Sequence, residues 1–421
     1  MAFSPPSAVA TLLDRPVAIF GTGVSGQGVL GLLAAAGGTG VVYDEKAQGA
    51  EKSFTPQHAA AHGLVVFSPG FPPEHRWLMT ALARGCVCLG ELDFASLFWR
   101  GEVVAVTGTN GKTTLTEFLA HALNAAGRPA HATGNVGYPF SRLVVEHPDD
   151  AVAVCEVSSF QAETLMHLRP AATLWTNFAE DHLERHPDLN AYFAAKWRLL
   201  ERTPPSAVFA GTSVQDFARR SQRRLRSTAC VATEGQPADE ALAGSVFAGY
   251  PQRENFLLAA AWWQHAGLPT DRLYAAAQTF RSGPHRLSRV GEKRSVTFWN
   301  DSKATNFHAV EAALATFAAP VLWIGGGKAK GGDLAGFIRR IAPRVRHAFL
   351  IGDTKPLLAA FCQSAGVPAT GCASLEEAVR TAFAAARDGD HVLLSPGFAS
   401  FDMFRGYDDR GRQFETLVEN L

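Results

Sequence analysis

The sequence predicts an α/β protein of three domains. Three blocks of short apolar strands alternate with helices along its 421 residues, and such alternation is typical of parallel sheets wrapped by helices. Glycine-rich loops join a strand to a helix in the first two blocks, and the third block follows Gly283-Pro284. We therefore predict a Rossmann-like N-terminal domain over residues 1–98, a central domain of the P-loop ATPase type over residues 99–283 and a Rossmann-like C-terminal domain over residues 284–421.

Composition excludes some classes of partner. The chain has 39 basic and 39 acidic side chains and a formal net charge of zero, so no global field attracts nucleic acid or an acidic membrane. The one basic run, residues 219–226, has no interleaved aromatic residue and is interpreted as a solvated helix face. The N-terminus does not resemble a signal peptide, and no apolar run approaches the roughly 20 residues of a membrane span. Together with six scattered cysteines, these features indicate a cytoplasmic protein with reduced thiols.

The first block contains a dinucleotide-type fingerprint. A strand over residues 16–20 leads into GTGVSG at residues 21–26, a helix follows through residue 35, and the next strand, 40–43, ends at Asp44. The pattern fits NAD, with Asp44 on a ribose hydroxyl. It equally fits a nucleotide-diphosphate sugar, because the N-terminus of a helix holds any pyrophosphate. A tight turn without a ligand is the third interpretation.

The most informative motif is VAVTGTNGKTT at residues 104–114. A hydrophobic strand leads into a glycine-rich loop and then into a helix that begins near Lys112. In such a loop the N–H groups face an anion, Lys112 reaches the β- and γ-phosphates, and the Thr113 hydroxyl can bind Mg²⁺. Val106 stands where the standard P-loop has its first glycine, so the tight turn must come from Gly108 and Gly111. A chance loop is the alternative, but the order of strand, motif and helix favours ATP or GTP binding.

An acid, a histidine and a lysine of the central block are further candidate site residues. Glu156 ends a hydrophobic strand and is placed to hold the Mg²⁺ of a nucleotide, unless it only terminates the strand. His182 follows another strand beside Asp181, although a lone histidine is more often structural. Lys196 lies on a predicted helix, and composition alone predicts an exposed lysine there.

The third block carries four further motifs. They are PHR at residues 284–286, NDSKATN at 300–306, GGGK at 325–328 and SPGFASFD at 395–402. All but the first follow predicted strand ends, where open α/β sheets place their ligands. Each is an ordinary turn when taken singly, whereas together they predict the wall of a ligand cleft.

The combination of motifs resembles the Mur ligases, the ATP-dependent amide ligases of peptidoglycan precursor synthesis. The resemblance covers essentially the whole chain and rests on TGTNGKTT, GNVG, EVSSFQ, NFAEDHLER, AAKWR, PHRL, NDSKATN, GGGK and SPGFASFD. EVSSFQ together with NDSKATN is typical of the glutamate-adding member. The resemblance therefore implies a cytoplasmic, monomeric enzyme that adds glutamate, most often D-glutamate, to UDP-N-acetylmuramoyl-L-alanine through an acyl phosphate.

The resemblance also implies which residues bind ATP and metal. The ATP-binding residues would be Gly108, Thr109, Asn110, Gly111, Lys112, Thr113, Thr114 and Asp301. Mg²⁺ would be held by Thr113, Glu156, His182 and Lys196, and the catalytic residues would be Lys112, Glu156, His182 and Lys196. Lys196 would be carbamylated by CO₂, which turns a cation into a carboxylate-like group and replaces the expectation of an exposed lysine.

The two remaining substrates are assigned in the same way. The UDP-substrate would contact Gly23, Asp44, Ser68, Asn135 and Ser158. Glutamate would contact Lys303, Lys328, Ser400 and Tyr407, and His285 and Arg286 would line the cleft. The chain departs from the family's usual residues at Ala179, Glu184, Phe401 and Tyr407. The last two lie near the implied amino-acid pocket, so the preferred enantiomer of glutamate stays open.

Three other functions fit parts of the sequence. A sibling ligase or a folylpolyglutamate synthetase would share the ATP machinery and differ in its acceptor. A nucleotide-gated binding protein without catalysis is disfavoured by the presence of Lys112, Glu156, His182 and Lys196. An NAD dehydrogenase would use only the first glycine-rich loop.

Overall fold

The computed structural model describes residues 6–7, 9–147, 151–225, 230–329 and 331–421. Arg226, the last residue of the basic run, therefore lies outside the described residues. The chain forms two compact units. One contains Met1–Asn177, Asn190–Pro237 and Glu254–Phe280, and the other contains Phe178–Leu189, Ala238–Arg253 and Arg281–Leu421. Single-turn 3₁₀ helices occur at Ala10–Leu12, Pro205–Ala207, Glu240–Leu242 and Ala342–Arg344.

The N-terminal sheet is parallel, with strand order β2-β1-β3-β4. Its strands are β1 (Val17–Phe20), β2 (Gly40–Tyr43), β3 (Leu64–Phe67) and β4 (Val87–Gly90). Its helices are α1 (Val24–Ala35), α2 (Pro56–Ala60), α3 (Arg76–Ala83) and α4 (Glu91–Ser96). The predicted strands and the predicted helix of this block are confirmed, with shifts of a few residues at their ends.

The central sheet is also parallel, with order β6-β7-β5-β8-β9. Its strands are β5 (Val103–Thr107), β6 (Ala130–Gly134), β7 (Val152–Glu156), β8 (Ala172–Trp175) and β9 (Val208–Ala210). The helices in this part of the chain are α5 (Lys112–Ala125), α6 (Phe140–Glu146), α7 (Ser159–Ala162), α8 (Leu189–Leu200), α9 (Thr212–Arg220), α10 (Gln252–His265) and α11 (Thr270–Thr279). Strand β5 is buried along its whole length, as the uninterrupted run VVAVT predicts for a central parallel strand.

The C-terminal sheet is mixed, with order β10-β11-β15-β12-β13-β14. Its strands are β10 (Ser288–Lys293), β11 (Val296–Asn300), β12 (Val321–Gly326), β13 (Val345–Ile351), β14 (Ala369–Gly371) and β15 (His391–Leu394). Its helices are α12 (Phe307–Ala315), α13 (Leu334–Ile341), α14 (Lys355–Ser364), α15 (Leu375–Ala385) and α16 (Tyr407–Glu419). Only the edge strand β10 runs antiparallel, and its pairing with β11 contains a bulge. The predicted α/β class is therefore confirmed in all three blocks, whose domain boundaries remain predictions.

The first two sheets share one compact unit because α4 ties them together. Glu91 Oε1 accepts hydrogen bonds from the N–H (2.7 Å) and hydroxyl (2.6 Å) of Ser141. The Asp93 carboxylate accepts from three successive backbone N–H groups of residues 166–168. Burial raises the pKa of Glu91, and the hydrogen bonds that its carboxylate accepts partly oppose this rise. A single hydrophobic core cluster includes side chains from both sheets.

Two predictions about cysteines and membranes can be compared with the structure. All six cysteines are free, as the scattered spacing predicts. None of the helices within the described ranges combines the length and the apolar character that a membrane crossing requires.

The N-terminus of α15 contains half of a capping box, for which the residues Ser374 and Glu377 have the required spacing. Ser374 Oγ accepts a hydrogen bond from the backbone N–H of Glu377 at 3.1 Å, as an N-cap serine should. The Glu377 carboxylate instead accepts from the N–H of Ala373, one residue before the N-cap. The bond from Ala373 N to Glu377 therefore fixes the residue before the helix, whereas a full capping box would use the N–H of the N-cap residue Ser374.

We expect Ser374→Ala to lower the free energy of unfolding by about 1 kcal/mol, because it leaves a first-turn N–H of α15 without an acceptor. Denaturant titration followed by circular dichroism measures the change. Ser364→Ala is the matched control, because the Ser364 hydroxyl is exposed and only donates to Ala360 O within α14. Equal unfolding curves for the two variants would contradict the assigned cap.

Candidate active site

The loop after β5 is pressed against its neighbours at two glycines. A Cβ on Gly108 would lie 1.8 Å from Thr176 Oγ1, and a Cβ on Gly111 would lie 2.7 Å from the Asn255 amide. Both glycines have positive φ, +150° and +78°. The prediction that Gly108 and Gly111 supply the tight turn is confirmed, because neither position has space or a suitable backbone conformation for a side chain.

Residues 176 and 177 hold the loop in place. Thr176 Oγ1 donates to Asn110 O at 2.6 Å. Asn177 accepts twice, through Oδ1 from Asn110 N at 2.9 Å and through its carbonyl from Thr109 N at 3.0 Å. The loop is thus fixed before any ligand binds. The first turn of α5, which begins at Lys112, leaves backbone N–H groups without intrahelical acceptors, and such groups attract an anion.

Two lysine amines meet at one carbonyl oxygen of this loop. Lys112 Nζ donates to Gly108 O at 3.0 Å and to Thr109 O at 2.7 Å. Lys196 Nζ, on α8, donates to the same Gly108 O at 2.8 Å. Lys196 is only 1% exposed, so the composition-based expectation of a surface lysine is wrong. The tertiary fold places this side chain beneath the phosphate loop.

Glu156 lies at the same sheet edge, because it ends β7 in register with Val106 of β5. The side chain is buried, with 2% exposure. Its Oε1 accepts a hydrogen bond from Asn135 Nδ2 at 2.8 Å, whereas its Oε2 finds no donor among the described residues. A buried carboxylate oxygen without a partner is costly, and a bound cation would satisfy it. Glu156 therefore fits an oxygen-preferring ion such as Mg²⁺.

The hydroxyl of Ser158 has a local structural role. Ser158 is the N-cap of α7, and its Oγ accepts from Gln161 N at 3.2 Å. Gln161 Oε1 in turn accepts from Ser158 N at 2.9 Å, which completes a capping box. The EVSSFQ motif thus has a reason in helix capping, and contacts of Ser158 and Asn135 with a substrate remain predictions.

In the N-terminal loop, Asp44 is fully engaged by its own backbone surroundings. It accepts from the N–H groups of Ala47 (3.0 Å) and Lys46 (2.9 Å), and from the N–H and hydroxyl of Thr22 (3.1 and 2.9 Å). The Ala47 and Lys46 bonds, together with those of Thr22, hold the pKa of Asp44 far below its usual value. A carboxylate offers about four acceptor positions, so Asp44 is occupied in shaping the loop.

Ser68, near this loop, has a hydroxyl group that is available for hydrogen bonding to a ligand. Its Oγ is buried and lacks a hydrogen-bond partner in the part of the chain that the structure describes. It faces Gly21, where an added Cβ would lie 2.8 Å away. Gly23 is the N-cap of α1, so the predicted pyrophosphate cradle and the unpartnered hydroxyl lie on adjoining segments.

In the second compact unit, the segment after β8 meets the NDSKATN motif. Asn306 Nδ2 donates to Asp181 Oδ2 at 2.8 Å, while Asn306 Oδ1 caps α12 through Ala309 N at 2.9 Å. Asp181 Oδ1 accepts from His182 N at 2.9 Å, and His182 has a positive φ of 57°. His182 Nδ1 lies 3.4 Å from Glu184 Oε1. These contacts fix the turn that contains His182. The turn is held by residues of both the NFAEDHLER and the NDSKATN motifs.

Asp301 follows β11 and is buried. Its Oδ2 accepts from Ser395 Oγ at 2.8 Å and its Oδ1 accepts from Leu287 N at 3.1 Å. Burial raises the pKa of Asp301 to about 7, and the two hydrogen bonds oppose that rise. The predicted contact of Asp301 with adenosine stays a prediction. The structure gives this carboxyl the role of joining the ends of β11 and β15.

The predicted glutamate-binding residues fall into two contacts. Lys303 Nζ lies 3.8 Å from the centre of the Tyr407 ring, a cation–π distance. Lys328 N donates to Ala399 O at 2.9 Å, which brings Lys328 beside Ser400. The neighbouring Phe401 is 71% exposed. The structure therefore groups Lys303 with Tyr407 and Lys328 with Ser400.

Arg410 is a supporting residue that the sequence reasoning missed. It is completely buried in α16 and donates to Ser302 Oγ (3.0 Å), Ser302 O (2.9 Å) and Phe398 O (3.3 Å). Burial lowers its pKa to about 10. It fixes two of the ligand motifs to each other. A signal was present, because Arg410 falls on the same helix stripe as the buried Phe414 and Val418.

Asn255 is a second missed residue. It is buried in α10, and its Nδ2 lies 3.4 Å from Gly111 O. Its position explains why residue 111 must be glycine. Across the described ranges, no three His, Cys, Asp or Glu side chains gather closely enough to hold a metal ion. The predicted ligands of Mg²⁺ are not such a group, because two of the four are Thr113 and a modified Lys196.

Comparison with known families and relatives agrees with this geometry. The Mur ligase middle domain matches residues 106–260, and the domain described as Mur ligase, glutamate ligase domain matches residues 285–398. A UDP-N-acetylmuramoylalanine–D-glutamate ligase of Gloeobacter violaceus is 36% identical over 442 residues, covering 96% of this chain and 99% of the relative. A ligase of the same name from Caldicellulosiruptor bescii is 34% identical over 383 residues, covering 85% and 84%.

Solved structures share the fold. A pseudomurein peptide ligase type C from Methanothermus fervidus superposes with a TM-score of 0.61 at 15% identity, covering 96% of this chain and 99% of that one. A UDP-N-acetylmuramate–alanine ligase from Thermotoga maritima gives a TM-score of 0.60 at 15% identity, with the same coverage. The predicted three-domain α/β architecture is confirmed by these neighbours.

We expect Asp301→Asn to remove a pH dependence of stability. The pKa of Asp301 is raised in the folded protein to about 7, so the native state holds this proton more tightly than the unfolded chain does. Stability from this group is therefore lost as pH rises from about 4 to about 7, by a few kcal/mol. Denaturant titrations at several pH values should show that the variant lacks this loss.

Asp388→Asn, an exposed site in the same compact unit, is the control. It should keep the pH dependence of the unmodified protein. Parallel stability curves for Asp301→Asn and the unmodified chain would contradict the assignment to Asp301.

Proposed function

This chain belongs to the Mur ligase family of ATP-dependent ligases in peptidoglycan precursor synthesis, and we propose that it joins D-glutamate to UDP-N-acetylmuramoyl-L-alanine. The observation that carries the proposal is the phosphate loop, where Lys112 and Lys196 meet at Gly108 O. Glu156 stands at the same sheet edge, and its Oε2 has no hydrogen-bond partner among the described residues. The choice of D-glutamate is supported by the similarity to the D-glutamate ligases of Gloeobacter violaceus and Caldicellulosiruptor bescii.

The chemistry needs an activated carboxyl group. A carboxylate is a poor electrophile, so the γ-phosphoryl group of ATP is transferred to the muramoyl-alanine carboxylate, which gives an acyl phosphate and ADP. The glutamate amine then attacks the acyl carbon, loses a proton and expels inorganic phosphate, leaving an amide. Such a reaction depends mostly on positioning and on electrostatic stabilisation of the anions that must meet.

The loop supplies that positioning for ATP. The backbone of Gly108 to Gly111 and the first turn of α5, with Thr113 and Thr114, would surround the β- and γ-phosphates. Lys112 would exchange its loop carbonyls for phosphate oxygens, because a charged acceptor binds an ammonium group more strongly than a carbonyl does. Asp301 would face the adenosine.

Of the residues that the family resemblance assigns to Mg²⁺, Glu156 is the one whose surroundings support the assignment. Glu156 Oε2 is a buried oxygen that lacks a donor among the described residues, and oxygen ligands are those that Mg²⁺ prefers. Thr113, His182 and a carbamylated Lys196 would complete the set. When bound, Mg²⁺ would offset the negative charge of the reacting phosphate and carboxylate.

A carbamate on Lys196 suits its surroundings. The ammonium group first loses one proton, and the neutral Nζ then bonds to the carbon of CO₂ and loses a second proton. One N–H remains to donate to Gly108 O. The modified side chain would present carboxylate oxygens at the sheet edge where Glu156 lies. The phenol ring of Tyr192, whose centre is 4.9 Å from Nζ, packs against the amine and restricts where it can move.

The remaining residues would hold the other two substrates. Gly23 at the α1 N-terminus and Ser68 would bind the uridine diphosphate, with Asp44 shaping the loop. Asn135 and Ser158 would contact the muramoyl part. Lys303 and Lys328 offer two ammonium groups for the two carboxylates of glutamate, with Ser400 and Tyr407 beside them. We propose a monomer that works in the cytoplasm, where ATP is available.

The function is tested by measuring ADP release in the presence of Mg²⁺. We expect turnover to require UDP-N-acetylmuramoyl-L-alanine and D-glutamate together, and to be slower with L-glutamate. Mass spectrometry of the product should show one added glutamyl residue. No turnover with either enantiomer would refute the ligase, whereas faster turnover with L-glutamate would refute only the proposed enantiomer.

We expect Lys196→Ala to reduce kcat by about 100-fold or more, because the variant has no amine for CO₂ to modify. Added bicarbonate should not restore activity. Carbon-13 NMR of the unmodified protein in labelled bicarbonate should show a carbamate signal that the variant lacks. Lys293→Ala removes a half-buried lysine on the edge strand β10, whose Nζ donates to Glu419 O, and serves as the control. A fully active Lys196→Ala variant would rule out the carbamate role.

A further inference from the structure

A large cavity opens at the edge of the central sheet opposite the phosphate loop. Its volume is about 660 Å³, and it lies at the amino-terminal ends of β5, β8 and β9. Residues before these strands form its walls, among them Gly101, Ala171 and Pro204. Because the phosphate loop follows the carboxyl end of β5, the two sites lie at opposite ends of the same strand. None of the proposed substrate contacts lines this cavity.

Arginine side chains gather at the cavity wall. Arg169 and Arg202 line it, and Arg198 lies one helical turn before Arg202. All three donate to backbone carbonyls of the single turn formed by residues 165–168, Arg169 through contacts of 2.9 and 3.2 Å with Met166 O and Leu168 O. Arg198 and Arg202 share Leu165 O as an acceptor, and Arg169 donates to carbonyls of the same short segment, so the three guanidinium groups are anchored at one place.

The charge of this cluster is only partly balanced. No ion pair within the described ranges involves Arg169, Arg198 or Arg202, although Asp93 and Glu201 lie near enough to act at a distance. The other acid on the cavity wall, Glu102, is already paired with Arg128. Burial and the charges of Arg169 and Arg198 lower the pKa of Arg202, as expected for crowded cations.

Arg202 also has an unused donor. Its Nε is buried and has no hydrogen-bond partner among the residues that the structure describes. A buried N–H without an acceptor leaves the guanidinium charge poorly compensated, and an anion at the accessible nitrogens of the same group would offset that charge. Two guanidinium groups side by side match a phosphate, which carries close to two negative charges at neutral pH.

The rest of the lining suits an organic body attached to the phosphate. Trp99, Leu168, Pro170 and Val103 contribute apolar surface, and a cavity of several hundred Å³ encloses a metabolite-sized molecule. We propose that this basic cavity binds a small organic phosphate monoester, with Arg169 and Arg202 contacting the phosphate and the apolar wall contacting the organic part. The site is separate from the proposed ligase reaction.

The test uses the full chain with its other phosphate sites filled. Phenyl phosphate is titrated by calorimetry in the presence of saturating UDP-N-acetylmuramoyl-L-alanine and a non-hydrolysable ATP analogue. Inorganic phosphate and phenol are the two partial probes, one without the ring and one without the phosphate. We expect saturable binding of phenyl phosphate, weaker binding of inorganic phosphate and none of phenol.

Arg169→Gln and Arg202→Gln should each weaken phenyl phosphate binding by about tenfold or more. Arg220→Gln, which changes an exposed arginine on α9, should leave binding unchanged. Arg169 is exposed at the surface, so its variant tests the site even if Arg202→Gln folds poorly. Absence of saturable binding, equal binding of phenol, or undiminished binding by Arg169→Gln would overturn the proposal.

Discussion

The close approach of Gly108 to Thr176 is the constraint on which the candidate active site depends. The loop fits between strand ends only because residue 108 has no side chain. Because of this fit, Thr176 can donate a hydrogen bond to the loop backbone and Asn177 can accept one from it. It also leaves Gly108 O accessible to two lysines. A fixed loop of this kind needs little reorganisation when charge develops on a bound phosphate. Such preorganised electrostatic stabilisation is the main contribution to catalysis of phosphoryl transfer.

Hydrogen-bond satisfaction separates residues that shape the site from residues with capacity for a ligand. Asp44 is occupied by local backbone donors, so its place in the sequence motif has a structural explanation. Glu156 Oε2 and Ser68 Oγ are buried without partners among the described residues. This distinction also weighs against an NAD dehydrogenase, because the acidic group that would bind the ribose is engaged in holding its own loop.

The sequence predicted the strands that are continuous apolar runs, such as residues 103–107, because such runs have few alternatives to a buried parallel strand. It also located the phosphate loop, where glycine spacing is itself the structural requirement. It missed β6, β10 and β14, which lie at sheet edges and contain polar residues or glycine. Burial of Lys196 could not be read from local pattern, since a helix lysine becomes buried only through contacts from distant segments. Arg410 was missed for the same reason, although its helix stripe carried a signal.

The shared carbonyl of Gly108 gives a physical reason for the proposed modification of Lys196. Two ammonium groups within hydrogen-bond distance of one oxygen lie at most about 6 Å apart and repel each other, and one of them, on Lys196, is buried. A carbamate would convert one member of the pair into an anion. Lys112 would then keep its positive charge for the phosphates, and the new carboxylate would stand near Glu156 as a second oxygen donor. One modification would thus remove a like-charge contact and add an oxygen ligand to a cation site. An aspartate or glutamate at position 196 would also remove the like charge, but its shorter side chain would not bring the carboxylate to the same place.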